Sequence, residues 1–285
     1  MKKIAVTTWC TDDYVELLGL DKLINSVKYF HPEVDHFIFD TKMTEQIHSE
    51  MPWMKPIWMM AATCLPFVEE YDMVVHLDAD AVVTGPMTEF FESEEDIIGV
   101  RNNNSLDHAG GHNFGITITH LPPFGNGQQI PIQGFINAGT IGANSKQFWY
   151  DWHSLNVEAA RIKTEVNPYA HGIGDEQDTL NQIFHSGKYT TKIIDAMGTG
   201  VSYGLSNTWG KNDNHWESWS QIYVKDDRLY LDDPKTGEPM HIKVMHQAGG
   251  HAAAKLNRES GGFRNWLSSV VSDEVNDYLN EVQNG

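Results

Sequence analysis

The stretch Met73–Gly85, MVVHLDADAVVTG, places Asp78 and Asp80 one residue apart between two apolar runs. Side chains two apart on an extended chain project to the same side. Two carboxylates held together in that way repel one another unless a cation lies between them. A hard divalent ion, which prefers oxygen ligands, would supply the missing positive charge. The pair taken alone also fits a solvated surface turn.

Three further stretches carry residue types suited to chemistry. Asn137–Asn144, NAGTIGAN, is rich in small residues that let a ligand approach the backbone, and it reads equally as a strand bent at glycine. Gly174–Asn181, GDEQDTLN, crowds Asp175, Glu176 and Asp178 at a helix start, where carboxylates also serve as caps and offset the helix dipole. Val244–Lys255, VMHQAGGHAAAK, sets His246 after a short apolar strand and before glycines. An imidazole there suits a metal ligand or a buried structural histidine. Lys55, just ahead of Pro56, is a further candidate phosphate contact or simply an exposed lysine.

Bulk properties narrow the field. The chain has 285 residues, 40% of them hydrophobic, and a formal net charge of −19. Such a surface repels phosphate backbones and anionic membranes, so nucleic acid is an unlikely partner. A bound nucleotide would need local neutralisation, which a divalent metal provides without a basic patch. Cys10 and Cys64 show no zinc spacing and read as reduced thiols. The N-terminal apolar stretch is too short for a signal peptide, and no apolar run is long enough to span a membrane. The expectation is a soluble, cytoplasmic protein with no integral membrane segment.

The elements that must position these residues follow from periodicity. Strands are predicted at Lys3–Thr8, His36–Asp40, Met73–Leu77, Phe135–Asn144 and Lys243–Met245. A hairpin is predicted over Gln221–Val224 and Arg228–Leu231. Helices are predicted at Val15–Tyr29, Pro56–Tyr71, Lys146–Ala160 and Asp175–His185, and an amphipathic tail begins at Phe263. The early β-α-β-α-β order implies an α/β fold with a mixed, mostly parallel sheet flanked by helices, whose ligands bind at the carboxyl ends of strands. Asp78 and Asp80 fall at such an end. One domain over 1–285 is expected, in sub-regions 1–100 and 101–256 followed by a helical tail (257–285); the family resemblance given below implies that the first binds a nucleotide and the second closes the metal site and holds the acceptor.

The order of these blocks resembles the GT-A glycosyltransferases of the family 8 type, the group of glycogenin and the bacterial lipopolysaccharide galactosyl- and glucosyltransferases. A strand with D-x-D precedes N-A-G-x-x-x-x-N, then an acidic-Gln-Asp-x-x-Asn, then strand-His-x-x-Gly. Thr7, Thr8 and Asp13-Tyr14 resemble the family's uridine-binding opening, and Tyr71-Asp72 ahead of Leu77-Asp78-Ala79-Asp80 its signature block. The likeness covers most of residues 3–256 as spaced blocks.

The resemblance implies a Rossmann-like GT-A fold, a UDP-sugar donor and a Mn²⁺ ion, with Mg²⁺ as the second choice. Matched by position, Asp78, Asp80 and His246 are implied as metal ligands, and a nitrogen donor suits Mn²⁺ better than Mg²⁺. Thr7, Thr8, Tyr14 and Ala79 are implied at the nucleotide, and Asn137, Ala138 and Gly139 near the donor sugar. Gln177 with Glu176, or Asp175 in competition with it, is implied on the far face of that sugar. Gly249 and Lys255 are implied near the diphosphate. Ala252 stands where the family carries its lysine, so either Lys255 reaches in from an altered loop, or His251 takes part of the role, or the diphosphate is held more weakly. Retention of anomeric configuration is implied by the resemblance alone.

For the acceptor, a saccharide or glycoconjugate, Trp209, Trp216 and Trp219 in Leu205–Ser220 offer aromatic faces for sugar rings, together with Asn102–Gly127. The tryptophans fit a core-anchored loop equally well. Two other readings remain. The string Asp78-Ala79-Asp80 fits a haloacid-dehalogenase-type phosphatase with Asp78 as nucleophile. However, two strands precede it here, and no downstream lysine and acidic pair stand out. The third reading is a silent sugar-binding protein on a GT-A core.

Overall fold

The structure, a computed structural model, describes residues 2–10, 15, 20–51, 54, 56–101, 123–125, 130, 134–165, 176–194, 201–202, 221–232, 237–246 and 271–284. The chain begins with β1 (Ile4–Trp9), α1 (Leu20–Phe30), β2 (Asp35–Phe39) and α2 (Thr41–Glu50). A 3-10 turn (Pro56–Met59), α3 (Met60–Cys64) and a second 3-10 turn (Leu65–Phe67) lead into β3 (Met73–Leu77), β4 (Ala81–Val83) and α4 (Thr88–Phe91). Then come β5 (Ile97–Arg101), β6 (Ile136–Ala143), α5 (Lys146–Glu165), α6 (Glu176–Phe184), β7 (Thr191–Ile194) and β8 (Val201–Ser202). The last elements are β9 (Tyr223–Lys225), β10 (Arg228–Asp232), β11 (Pro239–Ile242), β12 (Val244–His246) and α7 (Asp273–Asn284). Two compact units result. One comprises Met1–Trp9, Phe37–Leu77 and Phe90–Ile194; the other Cys10–His36, Asp78–Glu89 and Asp195–Gly285.

The first unit is built on a six-stranded sheet in the order β2-β1-β3-β6-β5-β7. β1 runs parallel to β3, and β5 parallel to β7, while β6 lies antiparallel to both of its neighbours. The fold is therefore α/β with a mixed, mostly parallel sheet and helices packed on it. β1 and β3 are buried along nearly their whole length because both faces are covered. α3, α5 and α6 cover the sheet. α5 buries Phe148, Trp149, Trp152, Leu155 and Ala159 in one core with Val74, Ile97 and Ile141. Gly142 in β6 answers to packing: an added Cβ would sit 2.7 Å from the Met73 methyl carbon and 3.1 Å from the Phe90 ring.

The second unit carries two three-stranded sheets, β4-β12-β8 and β11-β10-β9. Its core joins Val82 and Met245 to Leu229, Leu231 and Ile242, and to Val275, Tyr278, Leu279 and Val282 of α7. The predicted hairpin turns through Asp226 and Asp227 at φ of 52° and 54°, the left-handed values that a two-residue turn requires. Ser272 caps α7, accepting from the Val275 N–H at 3.3 Å, and Asp273 and Glu274 occupy its first turn.

Several expectations need correction. The helix predicted at Pro56–Tyr71 is instead a short α-helix between two 3-10 turns, ending at Phe67; Pro66 lacks the N–H that a continuing helix needs. α2, α4, β4, β5, β7, β8 and β11 are elements the periodicity did not reveal. The amphipathic tail expected from Phe263 is a helix from Asp273, and residues 263–270 lie outside the described part. Among the described residues, no helix is long and apolar enough to cross a membrane.

Candidate functional site

The D-x-D pair sits just past the end of β3. The chain turns there, with the Ala81 N–H donating to the Asp78 carbonyl at 3.0 Å, and β4 begins at once. The aspartates are thus presented by a turn, in place of the extended chain first assumed, and the turn still brings both carboxylates to one imidazole. β4 pairs antiparallel with β12, matching Val83 with Val244, Val82 with Met245 and Ala81 with His246. That register carries His246 alongside the aspartates from far along the chain. Its Nε2 lies 3.2 Å from Asp78 Oδ2 and 3.1 Å from Asp80 Oδ1. His246 is buried, and both aspartates are half-buried.

The electrostatics follow from this geometry. Burial alone would lower the pKa of His246, but the charges of Asp80 and Asp78 beside it outweigh burial and raise the value to about 10, although Nε2 makes no well-aligned hydrogen bond to either carboxylate. Burial, with the neighbouring Asp78 charge, raises the Asp80 carboxyl above its ordinary value against the opposing pull of the His246 imidazole.

The same cluster fits a divalent ion. One donor atom from each of Asp78, Asp80 and His246 can be chosen so that all three lie within 4.8 Å of one another. Ligands at adjacent corners of an octahedral ion with bonds of about 2.1 Å stand ~3 Å apart, the spacing seen between the imidazole nitrogen and each carboxylate. Two carboxylates and a neutral imidazole balance a +2 charge, and the mixed oxygen and nitrogen donor set suits a borderline ion.

Of the other residues singled out by sequence, Ala79 and Cys10 are buried in the second unit and the rest that the structure describes lie in the first. Thr7 and Thr8 are fully buried in β1, where the Thr7 hydroxyl contacts Cys64 Sγ at 3.2 Å and the Val75 carbonyl at 3.4 Å. Burial raises the Cys64 thiol to about 12, and Cys10 and Cys64 are both free and buried. Ala138 and Gln177 are brought together, with the Ala138 N–H donating to Gln177 Oε1 at 3.1 Å. The Asn137 side-chain oxygen accepts from the Gly139 N–H at 2.8 Å. Glu176 is buried, and its carbonyl accepts from Trp152 Nε1 at 3.3 Å.

Sequence reasoning quoted Asn181 without giving it a role. Its side chain accepts from the Ile136 N–H at 2.7 Å and donates to the Ile136 carbonyl at 2.8 Å, tying α6 to β6 as a backbone neighbour would. Its place three residues beyond Asp178 was the available signal. Tyr14, Asp175, Gly249 and Lys255 lie outside the described residues, as do Lys55, His251, Ala252, Trp209, Trp216, Trp219 and nearly all of Asn102–Gly127.

Together these features define an α/β protein with a mostly parallel sheet and a candidate divalent-metal cluster of two aspartates and a histidine. No protein-family model and no curated protein matches the sequence. Among solved structures, the chain is similar to the glycosyltransferase GlyE of Streptococcus pneumoniae TIGR4, with 15% identity and a TM-score of 0.41, covering 69% of this chain and 46% of that one. It is also similar to the galactosyltransferase LgtC in complex with donor and acceptor sugar analogs, at 14% identity and a TM-score of 0.46, over 96% of this chain and 99% of that one. An active-site mutant of LgtC gives 14% identity and a TM-score of 0.47 over 90% and 94%. The chain therefore spans less than half the length of GlyE and nearly all of LgtC. All three structures are glycosyltransferases.

Proposed function

We propose that this chain is a metal-dependent glycosyltransferase that moves a hexose from a UDP-sugar to a saccharide or glycoconjugate acceptor, with retention of configuration. The observation that carries the reading is the convergence of His246 on Asp78 and Asp80 across more than half the chain. A solvated surface turn has no need of a buried imidazole facing both carboxylates. The order of sequence blocks that resembles the family 8 enzymes adds the donor. Asp78, Asp80 and His246 would hold Mn²⁺, or Mg²⁺ as the alternative, and the ion would offset charge developing on the departing diphosphate.

Gln177 is assigned to the far face of the donor sugar. The Ala138 N–H on its Oε1 fixes the direction of its amide. Thr7, Thr8, Tyr14 and Ala79 are assigned to the nucleotide; Asn137, Ala138 and Gly139 to the sugar; Gly249 and Lys255 to the diphosphate. Glu176 and Asp175 stay the acidic candidates beside Gln177. The two free, buried thiols fit a reducing cytoplasm.

A panel of UDP-sugars, screened by thermal shift with and without Mn²⁺, tests the reading. The expected result is a Mn²⁺-dependent rise in melting temperature with one donor, together with slow hydrolysis of that donor. Turnover of simple phosphate monoesters with Mg²⁺, and indifference to every UDP-sugar, would overturn it in favour of a phosphatase.

A further inference from the structure

One buried residue, Thr84, stitches together the two segments that carry the metal cluster. It is fully buried and stands just beyond β4, opposite the residue that precedes β12. Its N–H donates to the Lys243 carbonyl at 2.7 Å, and its hydroxyl donates to the Ile242 carbonyl at 2.8 Å. Its own carbonyl accepts from the Tyr278 hydroxyl of α7 at 2.8 Å. One position earlier, the Val83 N–H donates to Ser26 Oγ of α1 at 2.9 Å, and Ser26 donates in turn to the Leu23 carbonyl at 3.0 Å. The β4–β12 ladder is therefore clamped from two helices at the end opposite to Asp80 and His246.

That ladder sets the site. β4 is three residues long, and so is β12, so few backbone bonds fix their register. A slip of one residue turns every side chain of a strand to the other face. For β12 it would take His246 away from both aspartates.

From this network we infer that Tyr278 is a positioning residue for the metal cluster: by holding the Thr84 carbonyl, its hydroxyl keeps β4 and β12 in the register that faces His246 to Asp78 and Asp80. The C-terminal helix is thereby part of the site's assembly, although it contributes no ligand. The inference rests on the proposed metal reading. Burial pushes the Tyr278 hydroxyl well above its ordinary pKa, so it stays a donor at every working pH. The rest of α7 touching this core is apolar, with Val275, Leu279 and Val282 buried beside Tyr278, so a purely packing role is the competing account.

The two accounts separate in Mn²⁺ affinity, measured by calorimetric titration of the full chain with the metal alone, well below the melting temperature of each variant. Tyr278→Phe keeps the ring and deletes one hydroxyl, while Thr84→Val keeps the shape at the node and deletes the hydroxyl bound to Ile242. Val282→Ala loosens the same helix core without touching the network. The expected result is a dissociation constant raised on the order of 10-fold in Tyr278→Phe and Thr84→Val, the scale seen when outer-shell partners of a metal site are removed. Val282→Ala should lower the melting temperature and leave the affinity at the wild-type value. Wild-type affinity in both hydroxyl deletions, or an equal loss in Val282→Ala, overturns the positioning role while the metal reading stands. A wild-type chain that takes up no Mn²⁺ overturns the metal reading, and the inference falls with it.

Discussion

The two units solve opposite problems. The first is dominated by apolar area: a six-stranded sheet under a helix with three buried aromatic rings, Phe148, Trp149 and Trp152. Its polar side chains mostly serve the backbone, as Asn181 does for Ile136 and Trp152 does for Glu176. The second has short strands in two small sheets, and its most telling contact is electrostatic, an imidazole between two carboxylates. Stability and chemistry are thus drawn from different interactions in different places. Removing a buried hydrophobe of the first unit should act mainly on folding, and removing a charge of the cluster mainly on ion binding.

The largest effect expected on that contrast is in the first unit. Trp152→Ala empties a fully buried site, so the unfolding free energy should fall by about 3–5 kcal/mol. Urea titration checks this, and Mn²⁺ affinity measured well below the melting temperature should be unchanged. Next comes Asp80→Asn, which keeps the shape and removes one ligand charge. Mn²⁺ affinity should drop on the order of 100-fold, while the urea midpoint moves far less than in Trp152→Ala. An Asp80→Asn chain that binds Mn²⁺ as well as wild type would erase the distinction between the units.

The smallest effect is expected from acid. Burial lowers His36 and His241 of the second unit to about 4, with Lys243 and Arg228 adding to the effect at His241. A depressed folded pKa means that the unfolded chain binds the extra proton first. The stability that these groups contribute is therefore present above about 6.5 and is lost as pH falls through 4. His153 and His185 of the first unit are lowered by burial as well, without so large a shift. Urea midpoints at pH 7, 5.5 and 4.5 should decline in that order. Replacing His36 with Gln should flatten the decline.

Much of this was legible from residue types. β3, Met73–Leu77, was bounded correctly because an apolar run meeting D-x-D has sharp edges. The hairpin showed because Asp226 and Asp227 interrupt two alternating segments. The elements that escaped are short or mixed. A three-residue strand such as Ala81–Val83 has no period to detect. TKMTEQIHSE in α2 lacks a clear apolar stripe. IIGVR in β5 is interrupted by Gly99, which the sheet needs because an added Cβ would fall 2.6 Å from an Ile136 methyl carbon. At the site, the three side chains of the cluster were legible and their support was not. Thr84, Ser26 and Tyr278 act through backbone carbonyls and amides, and such contacts leave no mark on residue spacing.

The cluster draws its first two members from residues 78 and 80 and its third from residue 246 of 285. A chain emerging from the ribosome exposes the acidic pair long before the imidazole that completes it. Until residue 246 follows, the nascent polypeptide has an incomplete grip on any cation. The site can close only after residue 246 has been made, so its loading reports that the β12 segment has been synthesised and paired with β4.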